Sequence, residues 1–266
     1  MAGLDLTESL DLLRHGAIDV EGRLVDASNA TLFCSIQAGG IEARCVYKPV
    51  AGERPLWDFP DGTLAGREVA SYAVSEASGW DVVPPTVLRE GPFGPGMCQL
   101  WMDTDPEAGD LVDVIAPAAM PDGWLHVLDA LGADGDPVVL AHADDRRLRR
   151  MAVLDTVLNN ADRKGGHVLP GPDGVVRGVD HGVTFHTEPK LRTVLWGWAG
   201  CELSDEERTV LDRLRDDLLG PLGTALLELV APSEVTACRR RVERLLRSGH
   251  LPYPVDGWPA IPWPPF

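Results

Sequence analysis

Leu154-Asp-Thr-Val-Leu-Asn-Asn-Ala-Asp-Arg-Lys-Gly-Gly-His-Val-Leu169, followed by Val175-Val-Arg-Gly-Val-Asp-His-Gly-Val183, decides how this chain is read. An apolar helical run ends in a polar turn containing Asp162. A short strand-like segment follows at His167–Leu169, and after the Gly171–Gly174 turn a second one delivers Asp180 before Gly182. Helix, turn and hairpin thus set two carboxylates on rigid backbone, 18 residues apart in sequence. Chemistry at a phosphate needs such a pair: one carboxylate orients an acceptor hydroxyl and another holds a divalent ion against the phosphates.

Upstream, the preceding helix spans about Asp144 to Asn159. It sets Leu148, Met151, Ala152, Val157 and Leu158 on one side and leaves Arg146, Arg147, Arg149 and Arg150 mostly outside. Asp155, inside it, is expected to accept backbone hydrogen bonds that fix the turn. Further upstream, Ala17–Asp26 and Leu32–Val50 carry β-branched and aromatic residues around Gly39-Gly40, the turn chemistry of an antiparallel hairpin. A Pro- and Gly-rich loop (Ala51–Asp61) leads to a helix at about Leu64–Ala77, stopped by Gly79. Strand-like runs follow at Val82–Leu88 and Gly96–Met102.

From Asp103 to Pro137 the chain reads as an acidic, loop-rich connection. Downstream, helices begin at Ser204, which forms a capping box with Glu207, and at Ser233 after Pro232. Leu251–Phe266, with six prolines and with Trp258 and Trp263, reads as an extended strap on the second lobe. The expected architecture is α+β and bilobal, protein-kinase-like. Residues 1–102 form a small β-rich lobe with one helix, and residues 103–266 form a larger, mainly helical lobe.

Composition narrows the function. The 266 residues, 44% hydrophobic, can bury a sizeable core. Five dispersed cysteines without a Cys-x-x-Cys pair argue against a disulfide framework or zinc ribbon. With 41 acidic against 24 basic side chains, the net charge of −17 disfavours nucleic acid and anionic lipid surfaces, while a metal-neutralised nucleotide remains compatible. No secretory signal or membrane-length apolar run is visible, so a cytoplasmic protein without stable membrane association is expected.

The run Asn160-Ala-Asp162-Arg163-(x)3-His167 and the later Asp180-His181-Gly182 resemble the catalytic and metal motifs of the phosphatidylinositol 3- and 4-kinase-like superfamily. That superfamily includes the HipA-type protein kinases, and the resemblance looks closest to an actinobacterial branch. It covers about Ala17 to Leu195. It implies ATP with Mg²⁺ or Mn²⁺ as cofactors, and Asp162, beside Arg163, as the catalytic aspartate. Asp180 would be the principal metal ligand. Lys48 in Val46-Tyr-Lys-Pro49 matches the lysine that grips phosphates, and Glu68, 20 residues on, the glutamate that positions it. Ser28, Asn29 and Thr31 fall in the phosphate-covering turn, and Gln99 and Trp101 where the hinge meets adenine.

One departure stands out. His167 occupies the place of the usual asparagine, and imidazole favours Mn²⁺ or Zn²⁺ over Mg²⁺. An ordinary histidine ligand would release its metal below about pH 6.5. His167 therefore reads as a second metal ligand or as a hydrogen-bonding loop residue.

Trp57, Trp196 and Trp198 read as lobe-packing residues, with acceptor recognition open to Trp196 and Trp198; Lys190 and Arg192 are the basic residues of the same loop. The expected activity is phosphoryl transfer to an unidentified protein or small-molecule hydroxyl. AMP transfer by the same site and a nucleotide-sensing pseudokinase that regulates a partner are the alternatives. A metallohydrolase built on His167, Asp180, His181 and His186 leaves Lys48 and Glu68 without a role.

Overall fold

The computed structural model describes residues 4–24 and 29–266. Its first helix, α1 (Leu6–His15), begins at a capping box: Asp5 accepts from the Glu8 amide and Glu8 from the Asp5 amide. Strands β1 (Ala17–Arg23), β2 (Leu32–Ala38) and β3 (Ile41–Pro49) follow. The β2–β3 turn is the expected Gly39-Gly40 pair, both with positive φ, which the two-residue hairpin requires. Helix α2 (Leu64–Ser78) starts on Thr63 and stops at Gly79 in the left-handed conformation. Strands β4 (Thr86–Gly91) and β5 (Gly94–Leu100) complete a five-stranded antiparallel sheet in the order β1-β2-β3-β5-β4.

Alternation along β3 turns Cys45 and Tyr47 into the core beneath α1. It therefore turns Val46 and Lys48 to the opposite face, which borders the cleft between the lobes.

The stretch expected to be loop-rich instead forms a second sheet. Strands β6 (Val112–Ile115), β7 (Trp124–Leu131) and β8 (Pro137–Ala143) pair antiparallel in the order β6-β8-β7. A register shift between His126 and Leu128 breaks the two-residue period of β7, and β6 has only four residues, so neither shows a clean alternation. The second lobe is helical below this sheet. It holds α3 (Arg146–Leu158), the hairpin β9 (Val168–Pro170) and β10 (Val176–Gly178), then α4 (Asp205–Asp217), α5 (Pro221–Leu226) and α6 (Pro232–Ser248). The expected capping box of α4, Ser204 with Glu207, is present.

Two apolar cores result. The smaller joins α1 to the first sheet through Leu13, Ile36, Tyr47 and Cys98. The larger gathers α3, α4 and α6, and also takes in Ala70, Tyr72 and Val74 of α2 and Trp80–Val83. Helix α2, in the first half of the chain, thus packs as part of the second lobe's core. Arg67 on its buried face pairs with Glu234 of α6 at 2.6 Å and donates to the Thr184 carbonyl, and Arg213 of α4 donates to the Ser78 carbonyl. No helix among the described residues is long and apolar enough to cross a membrane.

Candidate active site

Lys48 leaves β3 and reaches two carboxylates at once, Glu68 Oε1 of α2 at 2.7 Å and Asp180 Oδ1 at 2.8 Å. Glu68 is buried, and its second oxygen accepts from the His181 amide at 2.8 Å, so helix, sheet and the segment after β10 meet on one side chain. Burial works against the charge on Lys48, yet Asp180 and Glu68 together raise its pKa. Burial likewise pushes the Glu68 carboxyl up, opposed by Lys48 and the His181 amide. Lys48 holds the Asp180 carboxyl well below the usual carboxylate range. Asp180 itself adopts the left-handed conformation, φ 60°, which aspartate tolerates better than most residues.

The turn bearing Asp162 is built on α3. Asn159 ends that helix in the left-handed conformation, with its Nδ2 donating to the His186 and Glu188 carbonyls. Asp155 accepts from Asn160 Nδ2 at 2.9 Å and from Arg163 Nε at 2.8 Å and Nη2 at 2.9 Å. Its carboxylate therefore fixes the turn through side-chain donors rather than the backbone donors expected.

Arg163 is fully buried; it also donates to the Val179 carbonyl and to His181 Nε2, and it lies behind the cleft wall rather than in it. What sequence reads as a partner of Asp162 is placed to hold the turn against the segment that carries Asp180. His181 accepts from Arg163 as a neutral imidazole, its pKa lowered well below the ordinary value by burial and by that guanidinium.

Asp162 faces the cleft with Lys164 Nζ and Arg192 Nη2 each 3.9 Å from its oxygens. Burial pushes its carboxyl up while those two cations pull it down. His167 Nε2 stands 3.6 Å from Asp180 Oδ2. Burial pushes this histidine down to about 4, so at neutral pH the two are a neutral imidazole beside a carboxylate and not an ion pair. A carboxylate oxygen and an imidazole lone pair facing each other at that separation suit one divalent ion, with ligand distances of about 2.1 Å. These two donors fit a divalent ion that draws its other ligands from elsewhere, since no group of three or more His, Cys, Asp or Glu placed to hold one occurs among the described residues.

Lys48, Glu68, Asp162, Asp180 and His167 line one cleft of about 1230 Å³ between the lobes. Of the expected phosphate-turn residues, Ser28 lies outside the described residues; Asn29 and Thr31 border the cleft, with Asn29 Oδ1 accepting from the Arg54 amide. Gln99 and Trp101 border its far end, where Gln99 Nε2 is engaged by Thr86 Oγ1 and Trp101 stacks edge-on with Phe33. A cluster beside the cleft carries no signal in the sequence. There Lys190 Nζ pairs with Asp58 at 2.8 Å and lies over the rings of Trp258 (4.7 Å) and Trp57 (5.4 Å). Trp258 Nε1 in turn donates to the Lys190 carbonyl, so the C-terminal segment packs against the Lys190 loop and also reaches the cleft. Trp198 is buried, as a packing residue should be, whereas Trp57 is 88% exposed.

A β-rich lobe and a mainly helical lobe facing each other across such a cleft define a bilobal kinase-like fold. Solved structures share it. The Golgi casein kinase with Mn/ADP bound matches with a TM-score of 0.56 and 14% identity, over 91% of this chain and 74% of that one. Hydra Fam20 with sugar matches with a TM-score of 0.57 and 13% identity, over 91% and 88%. At these identities the likeness is one of fold. No family model matches the sequence. The chain is 54% identical to Protein Rv2133c of Mycobacterium tuberculosis over 264 residues, covering 96% of this chain and 94% of that one, and it belongs to that protein's family.

Proposed function

We propose that the chain is an ATP- and metal-dependent phosphotransferase of the phosphatidylinositol 3- and 4-kinase-like and HipA-like type, acting on a hydroxyl. Residues 1–102 would grip the nucleotide and residues 103–266 would carry the reaction. The observation that carries this reading is Lys48, held between Glu68 and Asp180 at 2.7 and 2.8 Å on the wall of the cleft that Asp162 shares. A lysine so placed can exchange one carboxylate for the α- and β-phosphate oxygens while Glu68 keeps it aimed.

Asp180 and His167 would hold the divalent ion, which when bound neutralises charge developing on the transferred group. Asp162 would take the proton of the acceptor hydroxyl. The acceptor oxygen forms its bond to the γ-phosphorus as the bond to the β–γ bridging oxygen breaks and ADP leaves. Burial favours this role, because it raises the basicity of Asp162, while Lys164 and Arg192 oppose that rise. The solved casein kinase with Mn/ADP supports nucleotide and metal use at the level of fold.

The test uses ATP labelled separately at the α- and γ-positions, Mn²⁺ or Mg²⁺, and a cell extract. Transfer of the γ-label to an acceptor is the expected result. Transfer of the α-label would replace the reading with AMP transfer. Retained nucleotide binding with neither label moved would replace it with a nucleotide-sensing pseudokinase.

A further inference from the structure

Arg192 lines the cleft beside Asp162 and has no part in the proposed phosphate grip. Its place is fixed from several directions. Its amide donates to the Asn160 carbonyl and its carbonyl accepts from the Arg163 amide, so its backbone is bound to the turn that carries Asp162. Its Nε donates to the Ala161 carbonyl, and its guanidinium carbon lies 5.5 Å from the centre of the Trp258 ring. Trp258 is itself anchored on the Lys190 carbonyl. What remains is the fork: neither Nη nitrogen has a hydrogen-bond partner among the described residues. The nearest carboxylate oxygen, on Asp162, is 3.9 Å away, too far for a hydrogen bond.

Two other inward arginines spend their forks. Arg163 serves Asp155, Val179 and His181, and Arg67 serves Glu234, Thr184 and Asp61. Nor is Arg192 needed to neutralise Asp162, since Lys164 already stands at the same 3.9 Å. A guanidinium held rigid with its two terminal nitrogens unspent is the geometry that receives a carboxylate or phosphate bidentately.

We infer that the acceptor is a small hydroxyl compound carrying its own anionic group, a phosphate or a carboxylate, bound by Arg192 against the Trp258 wall. The 3.9 Å between Arg192 and Asp162, with one hydrogen bond at each end, keeps that anion within about 9 Å of the reacting hydroxyl. That span suits a short hydroxy acid or phosphorylated alcohol. A chain of net charge −17, with Asp162 and Asp180 in the same cleft, would otherwise repel such a compound. This inference rests on the phosphotransferase reading, which supplies the role of Asp162.

The test is calorimetric titration of the full chain with glycerol, glycerol 3-phosphate and glycerate. Each is run with and without Mn²⁺ and a non-hydrolysable ATP analogue, for the wild type, Arg192→Gln and Arg192→Lys. At least one of the two anions should bind where glycerol does not, and the tighter of them identifies the anionic group. Arg192→Gln should weaken that binding tenfold or more, and Arg192→Lys should weaken it less because charge survives without the fork.

If the analogue binds but neither anion does, or if Arg192→Gln binds the anions as the wild type does, the inference is overturned alone. Arg192-dependent anion binding without any binding of the analogue would overturn the phosphotransferase reading and leave the anion site standing.

Discussion

Asp162 and Asp180 share a cleft but keep different company, and the proposed function divides the work along that difference. Lys48 holds Asp180 ionised far below its ordinary pKa, whereas burial raises Asp162 against the pull of two cations 3.9 Å away. Asp180→Ala should abolish metal-dependent nucleotide binding, and Asp162→Ala should leave affinity within a few-fold while ending transfer. Titration with MnATP decides it, and unchanged affinity in folded Asp180→Ala would sink the metal assignment.

Arg163 makes a different prediction because it does not line the cleft and only holds its wall from behind. Replacing it with Met strands the buried Asp155 carboxylate, and breaking such a pair costs about 3–5 kcal/mol. A urea midpoint close to that of the wild type would contradict this account.

The buried histidines set the acid limit. His167, His142 and His181 all have pKa values lowered by burial, so the unfolded chain takes up protons near pH 6.5 that the folded chain refuses. The unfolded state then binds more protons, and stability should fall as pH drops from 7 to 5.5. Equal urea midpoints at those two pH values would count against neutral histidines. With His167 pushed down to about 4, metal binding should weaken near pH 4 and not near the 6.5 expected of an ordinary ligand.

At the level of elements, the strap tests how the segment after Asp162 is held. Gly165 donates to the Pro265 carbonyl at 2.8 Å, and a Cβ at Gly165 would lie 2.1 Å from Cε1 of Phe266. Gly165→Ala should therefore displace that ring, at less than the roughly 1–3 kcal/mol typical of core overpacking, because Phe266 is 47% exposed and its ring has room to move. Phe266→Ala removes the clash in advance, so the double variant should be no less stable than Phe266→Ala alone. Fully additive losses in thermal denaturation would mean that the ring does not rest on Gly165.

The same scale shows what sequence could reveal. Lys48, Glu68, Asp162 and Asp180 were legible because each belongs to an element with local punctuation: the Gly39-Gly40 turn, the Gly79 stop, Asn159 at the end of α3, and the Gly171–Gly174 turn. The β6-β8-β7 sheet had no such signal, since its bulge breaks the alternation that would announce β7. The contact of Asp58, Lys190 and Trp258 was illegible for another reason. Its members come from segments 132 and 68 residues apart, and nothing in any one segment implies the others. Burial misled the reading of Arg163, whose place beside Asp162 in sequence hides that its side chain turns away from the cleft.

Across the whole molecule, the division of the cores determines what Lys48 joins. The first sheet and α1 have a core of their own, while α2, with Glu68, is packed into the core that also fixes Asp180's lobe. Glu68 and Asp180 are therefore fixed relative to one another, through the His181 amide and the Arg67 pairing with Glu234. Lys48, carried by the sheet, is the side chain that ties the smaller core to both. Lys48→Met should lose nucleotide affinity and should also lower the thermal midpoint. It strands a buried Glu68, a loss of about 3–5 kcal/mol for a fully buried pair and less here, since Lys48 is 20% exposed. Glu68→Gln should cost less affinity, because Lys48 keeps Asp180 and only its aim relaxes. The double variant should fall short of the sum, since the second change removes a partner already idle. Asp180 stays in every variant, so the MnATP cycle reports the coupling of Lys48 and Glu68, including any part that passes through the Lys48–Asp180 contact. Strict additivity in that cycle would show that sheet and helix do not meet through these side chains, and the nucleotide grip proposed for the first lobe would fail with them.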